Sequence, residues 1–213
     1  MTENYVSAPQ RVMHTLLEEI STGMLQPGEK LNEVELAARL DVSRNTLREA
    51  FISLQEFGVV ARRPHRGVCV TLPETRDVDE IYQFRSLLEP AALQWSERLD
   101  AALLTRCVEE GRAAMAAGDP HGTGDANQRF HSAIIASANS VYADAVMVRV
   151  LALMRLVFIC GSAERHNFHF PYVELNAAIA QLAVEGRRME AAAEMRAYLQ
   201  RARADVRELL ARA

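Results

Sequence analysis

The chain has 213 residues, 49% hydrophobic and 24% charged, with a formal net charge of −4. That length accommodates one small and one medium domain, and the acidic balance excludes indiscriminate coating of nucleic acid. The longest apolar stretch, 141–161, is interrupted by Asp144, Arg149 and Arg155, which excludes a membrane span there. The N-terminus is polar and lacks the apolar segment of a secretory signal. Cys69, Cys107 and Cys160 stand singly, without a CxxC pair, which suits a reducing cytoplasm rather than a disulfide scaffold.

The first helix has Val12, Leu16 and Ile20 on one face and is broken by Pro27-Gly28. A second, short helix is expected to bury Val34, Leu36, Ala37 and Leu40, and Asp41-Val42 makes the turn after it. In the third, Ser43 is a good N-cap, because its hydroxyl accepts an N–H of the first turn. Leu47, Ala50, Phe51 and Leu54 form an apolar stripe, Arg44 and Arg48 share the opposite face beside Asn45 and Thr46, and Gly58 ends the helix. The period then changes to that of two strands, 59–63 and 68–71, joined at Pro64-His65-Arg66-Gly67.

Two short helices, a tight turn and a basic hairpin make a winged helix-turn-helix, whose third helix enters the major groove of DNA and whose wing tip reaches phosphates or the minor groove. The expected contacts are Ser43, Arg44, Asn45, Thr46 and Arg48 on the helix, with His65, Arg66 and Gly67 on the wing. Between Ser43 and Thr71 the local charge is +3, so binding is focused on one surface and weakens with salt.

A domain boundary is expected at Leu72-Pro73, giving domains 1–73 and 74–213. Asp77-Val78-Asp79-Glu80 offers a capping box. The helix that follows is marked by Ile81, Phe84, Leu88, Ala91 and Trp95, with a kink at Pro90. Further helices are expected over 100–117, 125–138, 141–162, 171–185 and 188–211. The fold class is therefore mainly α: a winged helix-turn-helix followed by an antiparallel bundle of about six helices.

Gly23-Met24-Leu25-Gln26-Pro27-Gly28, Leu31-Asn32-Glu33-Val34-Glu35-Leu36-Ala37, Ser43-Arg44-Asn45-Thr46-Leu47-Arg48-Glu49-Ala50 and the wing Pro64-His65-Arg66-Gly67 together resemble the GntR transcriptional regulators of the FadR branch. Thr46 stands where many relatives have proline, and adds a hydroxyl that can reach phosphate or base. Phe84-Arg85-Ser86-Leu87-Leu88-Glu89, Phe130-His131 and the closing helices resemble the FCD domain of that branch, which binds an effector and dimerises. The resemblance implies a homodimeric, cytoplasmic regulator on a palindromic operator, acting as a repressor. It implies no membrane association and no enzyme activity; for acid–base catalysis the bundle is expected to offer His131 alone, with Asn127 where an orienting carboxylate would help.

Many FCD domains hold a divalent metal on an aspartate, a histidine four residues later, and two more histidines on the last two helices. Here those places carry Asn127, His131, Asn176 and Tyr198. One imidazole, two amides and a phenol are a poor set for such an ion, so no metal and no other cofactor is expected. His166 and His169 sit near Pro171 in an expected loop and read as surface polar contacts. With Arg85 and Arg155 added from other helices, the four replacements form a candidate pocket for a small polar or anionic metabolite, with arginine pairing a carboxylate in two-pronged fashion. Arg85 also has Glu89 four residues on as an internal partner. The alternative readings are a ligand-independent or metal-bridged regulator with a mainly structural bundle, and a fatty-acyl-CoA sensor, for which no basic cluster for the CoA phosphates is evident.

Overall fold

The structure is a computed structural model that describes residues 7–21, 24–159 and 167–211. Gly23, Cys160 and His166 lie outside the described residues. The chain divides into two compact units, Met1–Pro73 with Arg149–Cys160, and Glu74–Val148 with Gly161–Ala213.

The first unit contains α1 (Ala8–Ser21), α2 (Glu33–Arg39), α3 (Arg44–Glu56) and the antiparallel strands β1 (Val60–Arg63) and β2 (Gly67–Val70). In the hairpin Val60 stands opposite Val70, and Arg63 opposite Gly67. The far edge of β2 is also covered: Leu31 N–H donates to Val68 C=O at 2.9 Å and Val70 N–H to Glu29 C=O at 2.9 Å. Pairing on both sides fixes the hairpin against the helices and leaves Cys69 buried.

Leu16 and Ile20 of α1 meet Leu47, Ala50, Phe51 and Leu54 of α3 in one core, closed by Val68 and Val70. Leu156 belongs to the same core, because the Arg149–Cys160 part of helix α7 (Val141–Ile159) clusters with this unit. Asp41 takes a positive φ of 50° in the α2–α3 turn, which aspartate tolerates better than most residues. Gly58, at φ 74°, follows α3 while Val59 N–H reaches back to Leu54 C=O at 3.2 Å, a Schellman ending. Val34 departs from its expected place: it is 60% exposed. On a helix of only seven residues, Leu36 and Ala37 define the buried side and Val34 falls off it.

The second unit is built from α4 (Thr75–Trp95), α5 (Ala101–Ala116), α6 (Pro120–Ala136), α8 (Phe170–Val184) and α9 (Arg188–Ala211), with the first part of α7. Helix α4 packs on α9 and α6, and α5 on α6 and α8. Arg188, at the start of α9, donates to Leu93 and Ser96 carbonyls at the end of α4, and Arg203 and Arg207 meet Asp79 near its start, so the two helices run antiparallel.

Three expectations shift here. Helix α4 starts at Thr75 with a capping box of Glu74 and Asp77, one turn before the expected one. Pro90 lies inside this helix, which continues to Trp95. Helix α6 begins at Pro120, not near 125: Asp119 accepts Gly122 N–H at 2.9 Å, and proline suits the first turn because its missing N–H is not needed there. The inward face of α4 also differs from the apolar reading. Trp95 is 75% exposed and Ala91 is exposed, while Val78, Ile81, Tyr82, Arg85, Glu89, Ala92 and Leu93 face inward.

Candidate functional site

The first unit exposes basic side chains on α3 and at the wing tip. Ser43 caps α3 as expected, its Oγ accepting Thr46 N–H at 3.1 Å, and Ser43 Oγ and Thr46 Oγ1 lie 2.8 Å apart. With the first turn fixed and Leu47, Ala50, Phe51 and Leu54 buried, Arg44, Asn45 and Arg48 are left on the exposed side. The wing tip is held by Arg66 N–H donating to Arg63 C=O at 3.2 Å. His65 and Gly67 take positive φ values of 60° and 83° there, and His65, Arg66 and Gly67 are all exposed. One neighbour was not foreseen: Glu33, the first residue of α2, accepts Arg48 Nε–H at 2.9 Å and stands 3.5 Å from Arg44 Nη2.

The second unit buries a connected polar cluster. Helix α4 supplies Arg85 and Glu89, α6 supplies Asn127 and His131, α8 supplies Asn176 and α9 supplies Tyr198. Arg85 Nε–H donates to Glu89 Oε1 at 2.6 Å, and His131 Nδ1 lies 2.6 Å from Glu89 Oε2. His131 Nε2 lies 3.0 Å from the Tyr198 hydroxyl. Asn127 Oδ1 is 2.9 Å from that hydroxyl and 2.8 Å from Asn176 Nδ2. Five of the six proposed pocket residues thus meet in one chain of contacts, and Glu89, read from the sequence only as a partner of Arg85, corrects the expectation that His131 stands without an orienting carboxylate: it comes from α4, not from position 127.

Arg155 lies in the Arg149–Cys160 segment, which clusters with the first unit. His169 lies in the turn before α8, as the expected loop placement requires, but half-buried and without a side-chain cap bond, and a Cβ at Gly124 would meet its ring at 3.2 Å.

Charge in the cluster is settled by burial against pairing. Burial pushes the Glu89 carboxyl up, but the Arg85 guanidinium and His131 pull harder, and it ends near 2. Burial works against the Arg85 cation, yet Glu89 holds its pKa above the ordinary value. His131 is driven below its ordinary value, chiefly by burial and further by Arg85, against the pull of Glu89. A neutral imidazole has one N–H, and the ionised Glu89 claims it at Nδ1, so Nε2 accepts from Tyr198. The phenol stays protonated because burial raises its pKa.

One hydroxyl proton then faces two acceptors, His131 Nε2 and Asn127 Oδ1. Turning both amides over resolves the conflict: Asn127 donates to the Tyr198 oxygen and to Asn176 Oδ1. In the orientation described, Asn176 Oδ1 is a buried atom without a hydrogen-bond partner among the described residues; in the other, its amide nitrogen takes that place. Arg85 Nη2, at the opposite end, is likewise buried without one.

This donor set does not fit a divalent metal. Both nitrogens of His131 are engaged, Glu89 is held by Arg85 and His131, and the remaining groups are neutral. Among the described residues no three His, Cys, Asp or Glu side chains gather in a metal-binding group. Nor does any described helix have the length and apolarity to cross a membrane.

Residues 9–70 match the bacterial regulatory proteins of the gntR family, and residues 80–201 match the FCD domain. An HTH-type transcriptional regulator encoded in the TAR-I ttuE-ttuC' intergenic region of Agrobacterium vitis is 33% identical over 132 residues, covering 59% of this chain and 77% of the relative. The galactonate operon transcriptional repressor of Escherichia coli is 26% identical over 171 residues, covering 70% of this chain and 74% of the relative. A GntR transcriptional regulator from Rhodococcus sp. RHA1 superimposes with a TM-score of 0.86 at 34% identity, over 93% of this chain and 96% of that one. The chain belongs to the GntR family of DNA-binding transcriptional regulators, with a C-terminal FCD domain, and is not an enzyme.

Proposed function

We propose that the protein is a cytoplasmic, homodimeric repressor with an N-terminal DNA-binding domain (1–73) and a C-terminal effector and dimerisation domain (74–213). Its helical domain takes a small polar metabolite directly, without a bridging metal. The observation that carries this reading is the pair of buried polar atoms without a hydrogen-bond partner among the described residues, Arg85 Nη2 and one atom of the Asn176 amide, at the two ends of the cluster. Each costs on the order of 1–3 kcal/mol while it lacks a hydrogen bond. A metabolite that accepts from Arg85 and pairs with the Asn176 amide recovers that cost, which makes it a hydroxylated or carboxylated molecule. The relative named for a galactonate operon supports that class. Arg85 gives such a ligand less than its sequence promised, since its Nε already donates to Glu89.

On DNA, we assign Ser43, Arg44, Asn45, Thr46 and Arg48 to the major groove and its flanking phosphates, and His65, Arg66 and Gly67 to the wing contact. Two copies on a palindrome set their recognition helices about 34 Å apart. A ligand that favours another arrangement of the domains shifts the population away from the DNA-binding one. The test is thermal unfolding of the full chain with galactonate, related sugar acids and simple carboxylates, with and without added zinc. A rise in unfolding temperature without zinc, abolished by Asn176→Ala and accompanied by release of DNA, is expected. Stabilisation only when zinc is present would overturn the metal-free reading.

A further inference from the structure

Glu33 places a carboxylate between the two arginines of the recognition face. It is an unexpected charge there, because a surface meant for phosphates disfavours an anion. Its side chain is mostly covered, while Arg44 and Arg48 remain more than half exposed. Asn32 caps α2 through Val34 N–H at 3.0 Å, so the backbone that carries Glu33 is fixed. The single oxygen Oε2 takes Arg48 Nε–H at 2.9 Å and lies 3.5 Å from Arg44 Nη2.

From this geometry we propose that Glu33 is a positioning residue for sequence discrimination, acting through Arg48. The proposal rests on the recognition-face reading given above. A guanidinium has two edges that can donate in pairs, and Glu33 occupies the Nε position of Arg48. The outer Nη1/Nη2 edge stays available, and that edge matches the O6 and N7 acceptors of guanine. Holding the side chain in advance spares part of the rotamer freedom that a long arginine loses on binding. The carboxylate has a second effect. It penalises any pose in which Arg44 and Arg48 swing to phosphates, since such a pose leaves Glu33 unpaired beside the DNA backbone. Glu33 therefore favours base readout and disfavours sequence-independent binding.

The experiment compares two duplexes: one enriched from a randomised pool by the wild-type protein, and a scrambled duplex of the same composition. Wild type, Glu33→Gln, Arg48→Ala and the double variant are titrated on both across a salt series, with unfolding temperatures measured alongside. Glu33→Gln is expected to bind the scrambled duplex more tightly, with a salt slope steeper by about one phosphate contact. Its preference for the selected duplex should fall about tenfold, within the range one bidentate base contact supplies. Glu33→Asp, one methylene shorter, should recover part of that preference. In the Arg48→Ala background the Glu33 substitution should have no further effect on discrimination. If Arg48→Ala binds the selected duplex as wild type does, the recognition face is misassigned and the proposal falls with it. If Arg48→Ala weakens binding but Glu33→Gln keeps both the preference and the salt slope, the face stands and the positioning role alone is overturned.

Discussion

Replacing Glu89 by glutamine keeps the shape and the acceptor for His131 Nδ1–H but removes the carboxylate bonded to the buried Arg85 guanidinium. Both partners are nearly fully covered, at 0% and 5% exposure, so the remaining cation cannot be rehydrated without opening the unit. Breaking a buried ion pair in this way costs on the order of 3–5 kcal/mol. The carboxyl carries the same interaction into the pH dependence: Arg85 and His131 hold it well below its ordinary 4.5 against the effect of burial. The sign is that of a depressed carboxylate: the contribution is full above pH 4.5 and disappears as the pH falls toward 2. His131 adds a loss in the same direction starting higher. Its folded-state value is depressed below 6.5, so the unfolded chain binds its proton first and stability falls as the pH drops through 6.5. The assay is urea unfolding followed by circular dichroism at fixed protein concentration, from neutral pH to pH 3. Glu89→Gln should lose about 3 kcal/mol at neutral pH and should lack the part of the acid-induced loss that lies below pH 4.5. Arg85→Met combined with Glu89→Gln should recover much of the deficit, because no uncompensated charge remains. A change below about 0.5 kcal/mol for Glu89→Gln would refute the reasoning, since surface substitutions alone produce that much.

Two shorter expectations concern the first unit. Ser43→Ala removes the oxygen that accepts Thr46 N–H and should destabilise this unit by about 1 kcal/mol, measured as a lower unfolding temperature of its transition. Leu156→Ala tests the assignment of the Arg149–Cys160 segment to this unit: Leu156 is fully buried in its core, and the truncation should cost about 2–5 kcal/mol in the same transition.

The first unit was legible in the sequence because local rules and burial agree there. Leu16, Leu47 and Leu54 fall on helical spacing and are all buried, and Ser43 and Gly58 punctuate α3 where cap chemistry requires. Val34 was misread because a short helix allows several apolar faces, and only tertiary packing chooses between them. Helix α4 failed for a deeper reason. A hydrophobic-periodicity reading selects Ala91 and Trp95 and discards Arg85 and Glu89, yet the structure buries the charged pair and exposes the other two. Charges enter a core when they neutralise one another and find further hydrogen bonds, and the decisive partner, His131, lies 42 residues away. The spacing of Arg85 and Glu89 is visible in the sequence, and the family resemblance already turns Arg85 inward; the burial of Glu89 is not visible. The four residues at the family's metal positions were placed together correctly in outline, but the role of Glu89 in occupying His131 depends on a contact between α4 and α6 that no local pattern announces.

The two units divide their electrostatics in a way that separates their ligands. In the cluster, Arg85 is matched by Glu89, and His131, Tyr198, Asn127 and Asn176 are neutral, so the described cluster carries no net charge. A metabolite meeting it is held by oriented hydrogen bonds in a buried setting, where salt screens little. The recognition face has the opposite character: Arg44, Arg48 and Arg66 are exposed and gain by displacing counterions from DNA. Raising salt from 50 to 200 mM should therefore weaken operator binding by orders of magnitude while changing metabolite affinity by less than about threefold. Isothermal titration of the metabolite beside fluorescence-anisotropy titration of the operator, in the same buffers, measures both. A metabolite affinity that falls as steeply as the DNA affinity would mean that free cationic groups, not the compensated Arg85–Glu89 pair, hold the ligand.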